Sequence, residues 1–282
     1  MKIKIHSISQ VQHNRRVHDL VVGSYERIHT EIYNATEQAR LAIALAEATS
    51  FILSPTALPL AVDFGAGTGN LTKHLLRQGL RVLAMDVSPK CLSDVQQALG
   101  ETGRLSTAEL NGIDLSNLED NSVDIVATYS VLHHIPDYLR IVREFVRVVK
   151  SGGVIYIDHE SAPCFWLEDS SDYKAYRNEL WHTCGQPLVR RVGRKLRKLL
   201  SSSAWKRLVD RRLYALGDEG DIHVRKDDHI EWDRIEKVLA ERCILLRRED
   251  YLVCREADPS PPVYNKYAGK CVDMRVVVCR KN

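Results

Sequence analysis

Two groups of residues in this chain have the types and spacing to do chemistry. The first is Val62-Asp63-Phe64-Gly65-Ala66-Gly67-Thr68-Gly69-Asn70, a glycine cluster that follows a short apolar run and precedes a helical pattern. Glycine lets the backbone turn tightly there and lets a ligand lie against it with no Cβ in the way. Asp86 ends the next apolar run, seventeen residues after Gly69, where a carboxylate can accept hydrogen bonds from both hydroxyls of a ribose. A dinucleotide fingerprint needs Gly-x-Gly-x-x-Gly facing a pyrophosphate. Here the third glycine comes one residue early, and Asp63 stands two residues before the first. That carboxylate disfavours a diphosphate and favours a cation, and no Gly-x-x-x-x-Gly-Lys-Ser/Thr phosphate loop occurs. These residues imply a nucleoside with a positively charged tail.

The second group is His133-His134 at the end of one strand-like run and Asp158-His159-Glu160 at the end of another. Histidine titrates near neutrality, so either pair member can take up or release a proton. The competing reading is that one of the two adjacent histidines packs or caps the helix opened by Pro136-Asp137, and that Glu160 is a solvated strand end. Further on, Asp221-Ile222-His223, Asp227-Asp228-His229 and Glu231 offer carboxylates and imidazoles that could join His159 or Glu160 around a metal. No compact ligand spacing is present, and Asp227 or Asp228 capping the next helix is the simpler reading, so no metal is expected.

The elements that must position these groups follow an alternating grammar. Ala35 to Ile52 is rich in Ala, Leu, Glu, Gln and Arg and reads as a helix stopped by Pro55 and Pro59. Apolar runs at 60–64, 81–85, 105–113, 122–128 and 154–158 read as strands. Helical patterns follow from Leu71, Leu75 and Leu76, from Ser88-Pro89 to about Leu99, and from Pro136 to Val149. Strands alternating with helices imply a doubly wound, mostly parallel α/β sheet of the Rossmann-like kind. The rhythm breaks over 161–228 and returns with a helix at 233–240 and strands at 243–253 and 274–279, the last of them expected to be antiparallel. The expected organisation is an N-terminal helical lid (1–53), a nucleoside-binding core (54–160), an inserted helical cap on the substrate side (161–228), and a C-terminal helix and strands completing a seven-stranded sheet (229–282).

With these motifs in this order, the chain resembles the class I S-adenosylmethionine-dependent methyltransferases, in their small-molecule branch. The resemblance covers about 54–160 and, more loosely, the final strands. It implies that Asp63, Gly65, Ala66, Gly67, Gly69 and Asn70 surround the methionine part of the cofactor, that Asp86 with Val87 binds the ribose, and that Asp114 with Leu115 contacts adenine. Thr128 to Asp137, with Tyr129 beside the cofactor, is similar to the motif at the end of the fourth strand. In related O-methyltransferases a His pair there and an acid after the fifth strand are the candidate base and its orienter, which points here to His133, His134, His159 and Asp158. An N-terminal Tyr often lids the cofactor in this branch, making Tyr25 a candidate. The implied product is S-adenosylhomocysteine, and the implied partner a small-molecule acceptor, with oxygen favoured.

Composition bounds the alternatives. The chain has 282 residues, 44% hydrophobic and 27% charged, with a net charge of +3, which is ordinary globular composition and not that of a nucleic-acid coat. That figure hides a contrast. Residues 190–212 hold ten Lys or Arg against Asp210 alone, a local +9 against −6 elsewhere. Val192, Leu196, Leu199 and Leu200 set an apolar stripe on this basic segment, suited to an anionic membrane surface and a lipid or quinone acceptor, or to RNA. Pairing with the acidic stretch 218–233 is the competing reading. RNA-directed methylation is disfavoured, because Tyr129-Ser130-Val131-Leu132 stands where amino-directed base methyltransferases carry Asn/Asp-Pro-Pro-Tyr. A non-enzymatic scaffold would not need Asp63, the glycines and Asp86. Seven cysteines without Cys-x-x-Cys spacing, no apolar stretch of spanning length and no signal-like N-terminus lead us to expect reduced thiols and a cytoplasmic location. Oligomeric state is not legible.

Overall fold

Short runs of Val, Ile, Ala and Leu that are buried on both faces build a central sheet, as parallel strands under helices require. A computed structural model describes residues 2–21, 26, 29–53, 57–167, 170–183 and 220–282. Tyr25, the basic segment 190–212 and most of the expected cap therefore lie outside the described residues.

Helices α1 (Lys2–Val21), α2 (Thr30–Tyr33) and α3 (Ala35–Ser50) precede the sheet. Strand β1 (Leu60–Phe64), helix α4 (Asn70–Arg77), strand β2 (Arg81–Asp86), helix α5 (Pro89–Leu99) and strand β3 (Leu105–Glu109) form the first half of the sheet. Strand β4 (Val123–Tyr129), helix α6 (Tyr138–Val148) and strand β5 (Val149–Ser161) extend it in the other direction. Helix α7 (Ser171–Thr183), the hairpin β6 (Val224–Arg225) and β7 (Asp228–His229), helix α8 (Trp232–Ala240), strand β8 (Cys243–Tyr251), helix α9 (Pro262–Tyr267) and strand β9 (Met274–Lys281) complete the described chain.

The seven strands run in the order β3-β2-β1-β4-β5-β9-β8. All neighbours from β3 to β5 pair in parallel, and β9 lies antiparallel to both β5 and β8. The expected Rossmann-like sheet is thus present, with β9 as its antiparallel strand. Helices α3 and α4 cover one face, where Leu41, Leu45, Leu71, Leu75 and Val82 pack with Tyr156 and Val278. On the other face Val142 and Phe145 of α6 and Trp232 and Ile235 of α8 pack with Val62, Val126 and Val277. Asn34 caps α3, Ser88 caps α5 and Asp137 caps α6 through side-chain oxygens, as their residue types favour.

Three boundaries differ from expectation. Strand β3 stops at Glu109, because Asn111 turns the chain back by accepting the N–H groups of Ile113 and Asp114. Strand β5 begins at Val149, with Gly152-Gly153 inside it rather than ahead of it. Neither Asp227 nor Asp228 caps α8: Asp228 bonds His223 across the hairpin, and the cap position is Glu231.

Since β1 connects outward to β3 before the chain returns to β4, the carboxyl ends of β1 and β4 diverge. Such a switch point opens a crevice where α/β proteins bind ligands. Among the described residues no helix is long and apolar enough to cross a membrane, and the six described cysteines form no disulfide.

Candidate active site

The glycine cluster turns the chain from β1 into α4. Gly65, Gly67 and Gly69 all have positive φ, of 77°, 51° and 87°. A side chain at Gly65 would strike Val131, at 2.5 Å from its nearest methyl, and one at Gly69 would crowd Val95. At Gly67 a Cβ would meet nothing within 4 Å, so this part of the loop backbone faces open space. The loop, the ends of β2 and β4, and one face of α1 enclose a cleft of about 1060 Å³ counted to its open mouth.

Asp63 is 1% exposed and lines this cleft. Its Oδ2 accepts from the Thr72 hydroxyl at 2.6 Å, whereas Oδ1 has no partner. Burial pushes this carboxyl up to about 7, against the opposing pull of the Thr72 hydrogen bonds. Asn70, the first residue of α4, accepts from Gln38 through Oδ1 at 2.9 Å and leaves its buried Nδ2 without a partner. Asp86 accepts the Gly67 N–H at 2.9 Å on one oxygen and the Ser88 N–H at 2.8 Å on the other. Each oxygen keeps a second lone pair toward the cleft. Val87 and Ala66 line the same space, as does Tyr129 from the end of β4.

Beyond Tyr129, Ser130 takes a positive φ of 60° and the chain makes one tight turn, Leu132–His134, that presents both histidines. His134 lines the cleft. Burial holds its imidazole well below the usual range, with His133 and His18 adding to the effect. His133 pairs through Nδ1 with Glu160 Oε2 at 2.9 Å, while Glu160 Oε1 accepts the N–H groups of Val131 and Leu132 at 2.9 and 2.7 Å. A carboxylate thus stands at each ring nitrogen of His133, Glu160 at Nδ1 and Asp221 3.6 Å from Nε2.

These positions can be set beside known proteins. Residues 62–157 match the family profile described as a methyltransferase domain. This stretch is therefore similar to a methyltransferase domain. An uncharacterized methyltransferase of Mycobacterium bovis is 40% identical over 108 residues, covering 38% of this chain and 42% of that protein. A ubiquinone biosynthesis O-methyltransferase of Ralstonia nicotianae is 31% identical over 117 residues, covering 40% of this chain and 49% of that protein. The chain thus spans less than half the length of these curated relatives. Among solved structures, an S-adenosylmethionine-dependent methyltransferase from Mesorhizobium loti superposes with a TM-score of 0.52 at 16% identity, over 83% of this chain and 96% of that one. A putative methyltransferase of Haloferax volcanii in complex with its activator Trm112 gives 0.54 at 13% identity, over 94% and 97%. At these identities the likeness is one of fold alone, a Rossmann-like seven-stranded sheet with flanking helices.

In and around this stretch several expectations need correction. Asp114 and Leu115 do not line the cleft. Asp114 is held by Asn111 at 2.8 Å and by Arg140 at 2.7 Å, and Leu115 is fully buried in the core beneath α6. Leu110 and Gly112 stand at the cleft wall instead. Asp158 is equally removed: its carboxylate is taken by Arg40, Tyr156 and Tyr251, at 3.1, 2.5 and 2.8 Å respectively. The acid that orients a histidine is Glu160, fully enclosed rather than a solvated strand end. His159 takes a positive φ of 63°, stacks on Tyr129 with ring centroids 4.6 Å apart, and has no partner for either nitrogen. Burial pushes it down to about 3, so its ring is neutral.

The residue pattern did not announce the roof of the cleft. Val11, Asn14 and His18 of α1 line it from three successive turns of one helix face, a spacing visible in the sequence. Tyr33 closes another side and bonds the Thr68 hydroxyl of the glycine loop at 2.5 Å. The mixed acid and imidazole set at 221–229 does not assemble as one site. His223 is consumed by Asp228 and the Ile135 carbonyl, and Asp221 turns to the histidine pair.

Proposed function

We propose that this chain is an S-adenosylmethionine-dependent methyltransferase that methylates an oxygen of a small molecule. One observation carries the reading: two buried atoms without partners face a single cleft, the acceptor Asp63 Oδ1 and the donor Asn70 Nδ2, beside the double-facing carboxylate of Asp86. Buried polar atoms are costly unless satisfied, so they mark where a ligand of opposite pattern sits. The amino-acid end of S-adenosylmethionine has that pattern, with an ammonium for Asp63 and a carboxylate for Asn70 and the first amides of α4. The free lone pairs of Asp86 suit the two ribose hydroxyls, and Val87, Leu110 and Ile135 offer apolar walls to the base. Bound there, S-adenosylmethionine supplies an electrophilic methyl group on a sulfonium.

The chain's own part is to align and to manage a proton. A methyl transfer is an in-line displacement, so a rigid loop and a covering helix supply much of the rate by fixing the approach. An oxygen acceptor must also lose its proton, and the His133–His134 turn, with His133 oriented by Glu160, is the basic group at the acceptor end. Relatives named for ubiquinone biosynthesis O-methylation support oxygen as the acceptor atom and a small molecule as its carrier.

Calorimetry with S-adenosylmethionine tests the reading. One equivalent should bind, and Asp86→Ala should weaken it about 10- to 100-fold, the weight of a charged hydrogen-bond pair. Incubation with methyl-labelled cofactor and a small-molecule extract should then transfer label to a product stable to alkaline hydrolysis, as an ether is and an ester is not. No binding by the folded protein would end the assignment.

A further inference from the structure

His133 and His134 meet a third group that the methyl-donor reading does not use. Asp221 Oδ1 lies 3.2 Å from His134 Nδ1 and 3.6 Å from His133 Nε2. One ligand atom from each residue falls within 4.8 Å of the other two. Two donors held about 2.1 Å from a single cation stand roughly 3–4 Å apart at tetrahedral or octahedral angles, so this spacing matches one coordination sphere.

Three further features build the site. Glu160 bonds Nδ1 of His133 and leaves its Nε2 facing Asp221, the outer-shell arrangement that ligating histidines use. His134 Nδ1 is buried and makes no hydrogen bond even though Asp221 lies at contact distance. A cation between them would satisfy both the ring nitrogen and the carboxylate oxygen. The segment bearing Asp221 is also laced to the histidine turn. Ile222 and His223 both donate their N–H groups to the His133 carbonyl at 3.1 Å, and Gln10 holds the Gly220 carbonyl at 2.9 Å.

We propose that His133, His134 and Asp221 bind one divalent first-row transition cation at the acceptor end of the cleft. Two imidazoles and one carboxylate favour zinc, cobalt, iron or manganese over the oxygen-seeking calcium and magnesium. Three protein ligands leave positions open, and His134 lines the cleft, so the open side meets an incoming acceptor. With the cation in place the imidazoles would serve as ligands instead of as the base, and its charge would favour loss of the acceptor hydroxyl's proton to solvent. The binding stands by itself, whereas this use of it rests on the methyl-donor reading.

The test uses chelator-stripped full-length protein titrated with Co²⁺ and followed by visible d–d absorption. One equivalent should bind and be displaced by Zn²⁺. Asp221→Ala and His133→Ala should each weaken it at least tenfold, and Glu160→Gln about 10- to 100-fold through the outer shell. Circular dichroism of Asp221→Asn, a change at an exposed side chain, checks that the fold persists. Absence of stoichiometric Co²⁺ binding, or binding that all of these variants leave unaltered, would overturn the site. Calorimetry with S-adenosylmethionine on the stripped protein separates the two readings. Cobalt held in this variant-sensitive way without cofactor binding would sink the methyl-donor reading and leave the cation site standing.

Discussion

Asn14 Nδ2 donates a hydrogen bond to the His134 carbonyl at 3.0 Å, tying helix α1 to the turn that carries both histidines. One turn earlier, Gln10 bonds both the Asn14 side chain and the Gly220 carbonyl. A single face of α1 therefore roofs the donor cleft and anchors the segment that approaches it from the other side.

Loosening this roof should speed the departure of S-adenosylmethionine. Asn14→Leu removes the donor to His134 while keeping a side chain of similar size. A net hydrogen bond of about 1 kcal/mol corresponds to a dissociation rate roughly five- to tenfold faster. Stopped-flow fluorescence would read it, and an unchanged rate would mean that α1 does not retain the ligand.

If Asp63 holds the cofactor's ammonium as proposed, binding should depend on pH. Its carboxyl is raised from 3.8 to about 7 in the folded protein, so ionisation there opposes burial. The ligand-free fold accordingly loses stability as pH rises between those two values, and an ammonium beside the carboxylate reverses the loss. Affinity for S-adenosylmethionine should be about tenfold tighter at pH 8 than at pH 6, with a larger gain in melting temperature at the higher pH. Asp63→Asn should flatten both trends.

His159→Phe keeps the stack on Tyr129 and removes two buried nitrogens that bond nothing. Differential scanning calorimetry should show a melting temperature about 2–4 °C higher, since unsatisfied buried polar atoms cost on the order of 1–3 kcal/mol. A simultaneous fall in turnover would assign those nitrogens to the acceptor.

Arg40 is the cationic partner of the fully buried Asp158, at 3.1 Å, and it also bonds Glu37 at 2.8 Å. Arg40→Met leaves a buried carboxylate uncompensated and should lower unfolding free energy by about 3–5 kcal/mol in urea titrations. Combined with Asp158→Asn, the loss should be smaller than the two single losses added together.

The glycine loop and the acids at the strand ends were legible because their positions are constrained by backbone geometry. Only glycine suits the positive φ values of the 65–69 loop, and the acids before and after it sit at strand ends that alternation alone locates. Asp114 and Leu115 were misplaced because a short loop after β3 admits several registers. Spacing cannot tell a carboxylate that faces a ligand from one that pairs with Arg40 or Arg140. The exchange of Asp158 for Glu160 has a local cause. Strand β5 is irregular between Ile157 and Glu160, with His159 at positive φ. Residues 158 and 160 would share a face in a regular strand. The irregularity breaks that alternation, so Asp158 serves Arg40 while Glu160 serves His133. No pattern of residue types announces such a bulge. Asp221 was noticed only as part of a sequence-local cluster. Its partners stand nearly ninety positions upstream and are brought to it by backbone bonds to His133.

Strand β9 lies inside the sheet, between β5 and β8, although the chain reaches it after both. During synthesis the edge of β5, which is buried and apolar through Val154 to Ile157, must wait for more than one hundred further residues before its neighbour exists. Until then an unpaired apolar edge is open to strangers, and closing it requires a contact of long sequence separation. The nascent chain is therefore most exposed to mispairing after its donor-binding half is already made, and it is the insertion of β9 that ends the danger.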